Sequence, residues 1–445
     1  MATGMAPPQR SGYLVAPGAA VQGELTVPGD KSISHRALML GAIAAGTTDI
    51  TGFLAGEDCL ATLRALEAMG VKIEHPQEQH VIVHGVGAHG LRAAAAPLDM
   101  GNAGTAMRLF MGLLASQSFD STLLGDASLM RRPMERVAVP LRQMGADIRT
   151  QDGRPPVRIA RVQRLRAIDY ALPVASAQVK SALLLAALQA DGRTCLREPA
   201  TSRDHTERML RAFAVRVPQQ GATIGLEGGQ TLRGAPIRVP ADFSSAAFFI
   251  VAACLGGSGL RIRNVGVNPT RTGLLRLLQQ MGAAIRIQPC APSGEDSQCE
   301  PIADIEVHPA PLRGIEVPAA LVSLSIDEFP ALFIAAACAA GETVLRGAAE
   351  LRVKETDRLA VMADGLTALG VHNELQPDGI RIRGGEGFSG GAVDSHGDHR
   401  IAMAFVMASV RARAPIEVRD VANVATSFPG FVATAGAAGL QIETR

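Results

Sequence analysis

A surplus of charge of either sign is the first thing missing. The chain carries 43 lysine and arginine residues against 42 aspartates and glutamates, a formal net charge of +1 over 445 residues. With 47% hydrophobic and 19% charged residues it offers no broad field for nucleic acid, and it is too apolar to be disordered. Lysine is nearly absent too. Only Lys31, Lys72, Lys180 and Lys354 occur, so arginine supplies positive charge almost everywhere. Each retained lysine is therefore a candidate for chemistry that needs a compact ammonium. Cys59, Cys195, Cys254, Cys290, Cys299 and Cys338 show no CxxC spacing, which argues against a disulfide framework or a zinc site and for reduced thiols. The longest apolar runs, near 182–188 and 246–255, fall short of the roughly 20 residues of a membrane span. Residues 1–20 lack a basic segment followed by an apolar core. A cytoplasmic protein for small anionic ligands is expected, with no nucleic-acid or membrane partner and no cofactor.

What is present is repetition. A chain of this length exceeds one ordinary core and suggests two or three domains. Helix ends of the form Leu-x-x-Met/Leu-Gly, each followed at once by a strand-like stretch, occur at 66–74 (LEAMGVKIE), 141–149 (LRQMGADIR), 278–287 (LQQMGAAIRI) and 366–374 (LTALGVHNE). Weaker copies lie at 210–217 (LRAFAVRV) and 435–443 (AGAAGLQIE). Glycine closing a helix in the left-handed region and releasing the chain into a strand explains the pattern. Six α/β units follow, in two sets of three. Each set opens on a similar helix start, Val27-Pro28-Gly29-Asp30-Lys31-Ser32 and Val239-Pro240-Ala241-Asp242-Phe243-Ser244, as a duplicated half would. The expected division is 27–241 against 1–26 plus 242–445, with a strand at 18–26 pairing back onto the second half. The stretch 291–300 is polar and turn-rich, and reads as a surface loop.

Several helix starts look built for anions. Pro28-Gly29-Asp30-Lys31-Ser32 lacks the glycine spacing of a P-loop, so a nucleotide kinase is not indicated. It still places a lysine, two serines and Arg36 where free N–H groups favour an anion, unless Ser32 simply caps the helix. Gly101-Asn102-Ala103-Gly104-Thr105 lets backbone approach a ligand, and Arg131-Arg132, Ser176-Ala177-Gln178 and Ser202-Arg203-Asp204-His205 add donors. The second half supplies acids: Asp327 and Glu328 precede a very apolar helix, where burial could tune a proton acceptor. In Leu351–Arg358, helical spacing would put Lys354 and Arg358 on one face. His396 and His399 lack a third ligand at a recognised spacing, so no metal is expected.

Taken together, PGDKSISHRA, GNAGTAMR, RRPM, ASAQVKS, SRDHTE, IDEFP, LRVKETDR, GDHRIAM and SFPGF resemble, in order and over nearly the whole chain, the 5-enolpyruvylshikimate-3-phosphate synthases. The resemblance implies an α/β protein of two lobes, each of three βαβαββ units around parallel helices, joined by a two-stranded hinge. It implies transfer of the enolpyruvyl group of phosphoenolpyruvate to the 5-hydroxyl of shikimate 3-phosphate through a tetrahedral intermediate, the sixth step of the shikimate pathway, by a monomer. Carried over by position, Lys31, Ser32, Arg36, Ser176, Ala177, Gln178, Arg203, Asp327 and Lys354 would bind shikimate 3-phosphate. Lys31, Asn102, Gly104, Arg132, Gln178, Arg358 and Arg400 would bind phosphoenolpyruvate. Asp327 would be the base, Glu355 the acid, Lys31 the stabiliser of phosphate charge and His399 an assistant. Gly104 would leave room beside the clamp for the inhibitor glyphosate. Two positions depart from some members: Thr426 where a lysine can stand, and Ala177 where a serine can. A UDP-N-acetylglucosamine enolpyruvyl transferase would share the fold but usually carries a cysteine on a mobile loop of its first half, and no cysteine lies between Cys59 and Cys195. A non-catalytic repeat scaffold gives no reason for acids and lysines inside ligand-like loops.

Overall fold

The computed structural model describes residues 11–290 and 300–445. Cys299, the first ten residues and the expected loop, apart from Glu300, lie outside them. The five described cysteines are free.

In the first half run α1 (Lys31–Ile43), α2 (Glu57–Ala68), α3 (Gly104–Leu114), α4 (Glu135–Gln143), α5 (Ala177–Ala187) and α6 (His205–Ala212). The second half carries α7 (Phe243–Leu255), α8 (Gly273–Gln280), the short α9 (Ala319–Val322), α10 (Phe329–Cys338), α11 (Arg358–Ala368), α12 (His399–Ala408), α13 (Val424–Ser427) and α14 (Phe431–Ala437). Their sequences decide who lies inside. α7, FSSAAFFIVAACL, is buried along its whole length, and α10 and α12 nearly so. Helices without a polar face must sit in the interior, and these three pack on one another. In the first half α1, α3 and α5 are the most buried, with α3 against α5.

Sheets wrap the outside, six of them following one plan. In the first, Ala45–Thr51 pairs antiparallel with His80–Val86, which pairs antiparallel with Lys72–Gln77, and Pro236–Arg238 adds a parallel edge. The other four-stranded sheets repeat this order of one parallel and two antiparallel pairings. The sheet of Gly341–Leu345 has three strands, its parallel neighbour reduced to bridges at Arg313 and Glu316. Within the expected strand at 18–26, Gln22–Leu25 is extended, and a further strand, Gly12–Val15, precedes it. Gly12–Val15 pairs with Ile416–Arg419 and Ile442–Thr444, and Gln22–Leu25 pairs parallel with Gly259–Gly266. Pro17-Gly18, with φ 74° at Gly18, turns the chain between them. Two hydrophobic cores result, one from Ile33 to Val239, the other joining Tyr13–Val27 to the residues from Ala241 onward.

All six repeated helix exits adopt positive φ. Gly70, Gly145, Gly282, Gly370 and Gly439 lie between 84° and 106°, and Ala214, which replaces glycine in the weak copy, is held at 65°.

Candidate active site

The two halves meet where the duplicated helix starts cross. Asp30 N–H donates to the Pro240 carbonyl and Asp242 N–H to the Pro28 carbonyl, each at 2.8 Å, and Gly29 faces Ala241. This reciprocal pair sets the start of α1 beside that of α7. Asp30 caps α1 through Ile33 N–H at 2.9 Å. Ser32 is therefore not the cap, contrary to the alternative its position suggested, because a carboxylate two residues earlier reaches the free N–H first.

Lys31 spans the junction. Its ammonium donates to Asp58 of the first half at 2.9 Å and to Ser427 Oγ of the second at 2.6 Å. Arg36, buried, donates to Thr206 Oγ1, Ser181 Oγ and the Ser32 carbonyl, so it fixes the α1 start from below. Ser176 caps α5, with Ala177 and Gln178 in the first turn, partly exposed. The Gln178 amide is oriented at both ends, its oxygen accepting from Arg108 at 2.6 Å and its nitrogen donating to Thr105 Oγ1 at 2.9 Å.

Arg132, in the turn ahead of α4, is held by the loop before α3. It donates to Asn102 Oδ1 at 2.5 Å, while Asn102 Nδ2 donates to Asp126 at 2.7 Å. Asn102 thus has both ends of its amide engaged and aims the guanidinium. A Cβ at Gly104 would lie 2.9 Å from Arg132 Nη1, so a methyl group there would crowd the guanidinium. Arg132 also reaches across to Glu355 at 3.6 Å, and Arg136 pairs with Glu350 at 2.6 Å.

The carboxylates of the second half sit among cations. Arg358, fully buried, donates to Asp398 at 2.7 Å, to Asp327 Oδ1 at 3.3 Å and to Glu355 at 2.5 Å, so it stands between the two candidate catalytic acids. Asp327 also contacts Arg203 of the first half, with Lys354 at 3.5 Å and Arg400 Nη2 at 3.9 Å. Burial alone would raise both pKa values. For Asp327 the cations Arg203, Lys354, Arg400 and Arg358 outweigh it and hold the acid well below its usual range. Arg358 and Arg132 lead the same reversal at Glu355. His399 goes well below its ordinary value because it is buried beside Lys31 and Arg400, and stays neutral at pH 7.

Lys354 and Arg358 do not share a helix face. A 3-10 turn over Ala349–Val353 precedes Lys354, and α11 begins only at Arg358, capped by Asp357. Both cations still converge on Asp327. The four lysines differ in setting: Lys31 and Lys354 lie at the junction, Lys72 makes an exposed pair with Glu74, and Lys180 is buried between Glu198 and Glu207 at 2.8 and 2.7 Å. Lys180 also donates to the Ser202 carbonyl, which steadies the loop bearing Arg203. Arg108 and Ser427 were not singled out from the sequence. Arg108 stood inside the quoted GNAGTAMR, and Ser427 beside the noted Thr426, but only the fold reveals their partners. Among the described residues no cluster of three metal-ligating side chains occurs, and no helix is long and apolar enough to cross a membrane.

A site of paired carboxylates ringed by arginines from two halves can bind two anions and move protons between them. Residues 15–434 match the family model described as EPSP synthase (3-phosphoshikimate 1-carboxyvinyltransferase). A 3-phosphoshikimate 1-carboxyvinyltransferase of Alkalilimnicola ehrlichii is 61% identical over 97% of this chain and 96% of its own length. That of Methylococcus capsulatus is 58% identical over 97% and 98%. An EPSP synthase structure from Acinetobacter baumannii superposes with a TM-score of 0.86 at 53% identity, covering 98% of this chain and all of the other. The enolpyruvyl transferase NikO of Streptomyces tendae, at 19% identity and a TM-score of 0.80 over 98% and 99%, shares the fold.

Proposed function

Since the chain belongs to the EPSP synthase family, we propose that the cations and carboxylates at the junction of its halves are its substrate cleft. The chain is a transferase with the enolpyruvyl transferase fold. It moves the enolpyruvyl group of phosphoenolpyruvate to the 5-hydroxyl of shikimate 3-phosphate and releases phosphate, a step of the shikimate pathway to aromatic amino acids. The division of labour is as follows. Lys31, Ser32, Arg36, Ser176, Ala177, Gln178, Arg203 and Lys354 hold shikimate 3-phosphate. Asn102 and Gly104 shape the loop that presents Arg132, which with Arg358, Arg400, Lys31 and Gln178 grips phosphoenolpyruvate. Asp327 accepts the 5-hydroxyl proton as that oxygen attacks the enol carbon, and Glu355 delivers a proton to the methylene carbon. The tetrahedral intermediate then returns a proton from its methyl group and expels phosphate, whose growing charge Lys31 stabilises while His399 assists.

The observation that carries this reading is Arg358 standing between Asp327 and Glu355. With no substrate bound, Glu355 is ionised because Arg358 and Arg132 oppose its burial. Both arginines belong to the proposed clamp. An anionic substrate that engages them weakens their hold, and the pKa of Glu355 rises toward that of an acid able to donate. Phosphoenolpyruvate binding is thus expected to take up a proton near neutral pH, seen as a buffer-dependent enthalpy in calorimetry. The same logic arms Asp327 as the sugar phosphate draws Arg203 and Lys354 away from it. The lobes, 27–241 and 1–26 with 242–445, close on their substrates in a cytoplasmic monomer. Phosphate release from phosphoenolpyruvate should require shikimate 3-phosphate, and release with UDP-N-acetylglucosamine instead would overturn the assignment.

A further inference from the structure

The junction contains a buried cation that the chemistry above does not use. Arg271, 3% exposed, lies in the turn ahead of α8. Its Nη1 donates to Asp30 at 2.7 Å, and its Nη2 donates to Asp242 at 3.2 Å and to Ser244 Oγ, with Glu328 at 3.6 Å. Asp30 caps α1 immediately before Lys31, and Asp242 caps α7 at the hinge. Glu328 adjoins Asp327 and lies 3.8 Å from Arg400. One guanidinium therefore ties together the backbone segments that present the first half's lysine and the second half's base. A second contact runs the same way: a Cβ at Gly273, two residues on, would fall 2.2 Å from Ser325 Oγ, so the α8 start is pressed against the turn leading into Asp327.

We propose that Arg271 is a positioning residue of the reaction, holding Lys31 and Asp327 in register across the hinge through Asp30, Asp242 and Glu328. Arginine suits this because its planar fork serves carboxylates on two sides at once, which an ammonium cannot do in one geometry. The inference rests on the roles given above to Lys31 and Asp327. A misplacement of about 1 Å between groups that must act together costs on the order of 10²-fold in rate.

The test uses the full-length enzyme. R271K keeps the charge and loses the fork, and its kcat should fall by about 10²-fold while both KM values change far less. A merely structural anchor would lower the melting temperature and leave the kcat of the folded enzyme near that of the parent. E328Q and R271K should combine non-additively in kcat, since one acts through the other. Should R271K fold poorly, R271Q/D242N removes one cation and one anion together, keeps the net charge of the cluster, and should show the same kcat loss. A folded variant of either kind with parental kcat overturns the proposal. Failure of both to fold also overturns it, in favour of a purely structural anchor. If instead Lys31 and Asp327 variants keep full activity, the reading of the cleft is what fails.

Discussion

The two helix starts at the hinge are copies that have parted company. Asp30 and Asp242 cap α1 and α7 with nearly the same backbone, φ −62° and ψ 121° against φ −67° and ψ 120°, and each donates its N–H to the proline carbonyl of the other copy. The next residue differs in kind. Lys31 reaches across the cleft to Ser427, whereas Phe243, 1% exposed, fills the core of the second half. The residue before the cap differs as well: a Cβ at Gly29 would meet the Gly52 carbonyl at 1.9 Å, while Ala241 is accommodated in the other copy. Duplication thus supplies the frame twice, and one position after the cap decides which copy reaches across the junction.

The sharpest way to break this comparison is at the groups the first copy brings to the second. Asp327→Asn and Glu355→Gln should each lower kcat by about 10²-fold or more, since positioned proton transfer is worth that much. Lys31→Arg should follow closely although it keeps the charge. Its ammonium is enclosed by Asp58 at 2.9 Å and Ser427 at 2.6 Å, a fit that a planar guanidinium cannot reproduce. Steady-state phosphate release measures all three. Near-normal turnover of Lys31→Arg would mean that the position asks only for charge, and the contrast with Phe243 would lose its point.

A smaller effect is expected beside Arg132. The methyl group of Gly104→Ala lies 2.9 Å from its guanidinium, so the side chain must swing aside. A compact substrate can follow the displaced clamp better than the longer glyphosate. The inhibition constant should therefore rise by roughly ten- to a hundredfold, as for one lost charge-assisted contact of about 1.5–3 kcal/mol, and the KM for phosphoenolpyruvate by much less. Thr426 bonds back to the Asn423 carbonyl at 2.7 Å and so lends the clamp nothing, and Thr426→Lys should strengthen both ligands together. Equal factors for Gly104→Ala would show that this loop does not separate substrate from inhibitor.

What could be read from the sequence, and what could not, follows the same line. The arginines and acids that meet at the junction stand in short stretches of unusual composition, whereas the roles proposed for them rest on the resemblance of ordered motifs to one family. Glycine at the helix exits was legible because one dihedral demands it. Arg271, Ser427 and Arg108 were not, since their meaning lies in partners tens to hundreds of residues away: Arg271 meets Asp30 over 241 positions and Lys31 meets Ser427 over 396. Lys72 and Lys180 show the opposite error. Scarcity marked them, yet one is a surface pair and the other a structural triad, because rarity in composition does not report burial. Of the two N-terminal strands, Gln22–Leu25 falls inside the stretch expected to pair with the second half, whereas Gly12–Val15 gives no signal of its own because it is only four residues long and is stabilised by strands from the far end of the chain.

The smallest effect concerns the other place where the halves diverge, the exit of the third unit in each. The second half closes with Gly439 at φ 106°, the first with Ala214 at φ 65°. An alanine in the left-handed region crowds its Cβ against the backbone, a strain of roughly 1–2 kcal/mol that glycine does not carry. Ala214 is exposed, so its methyl group contributes little packing to set against that strain. Replacing it with glycine also frees the unfolded chain, which offsets part of the gain by about 0.4–1 kcal/mol. The net expectation for Ala214→Gly is a stabilisation of about 0.5–1 kcal/mol with kcat unchanged, because the exit is remote from the cleft and only relaxes a turn already made. Urea unfolding of the two proteins at equal slope measures it. A loss of stability would mean that restricting the unfolded chain outweighs the strain, and that alanine in the weak copy is the more stable choice at this exit.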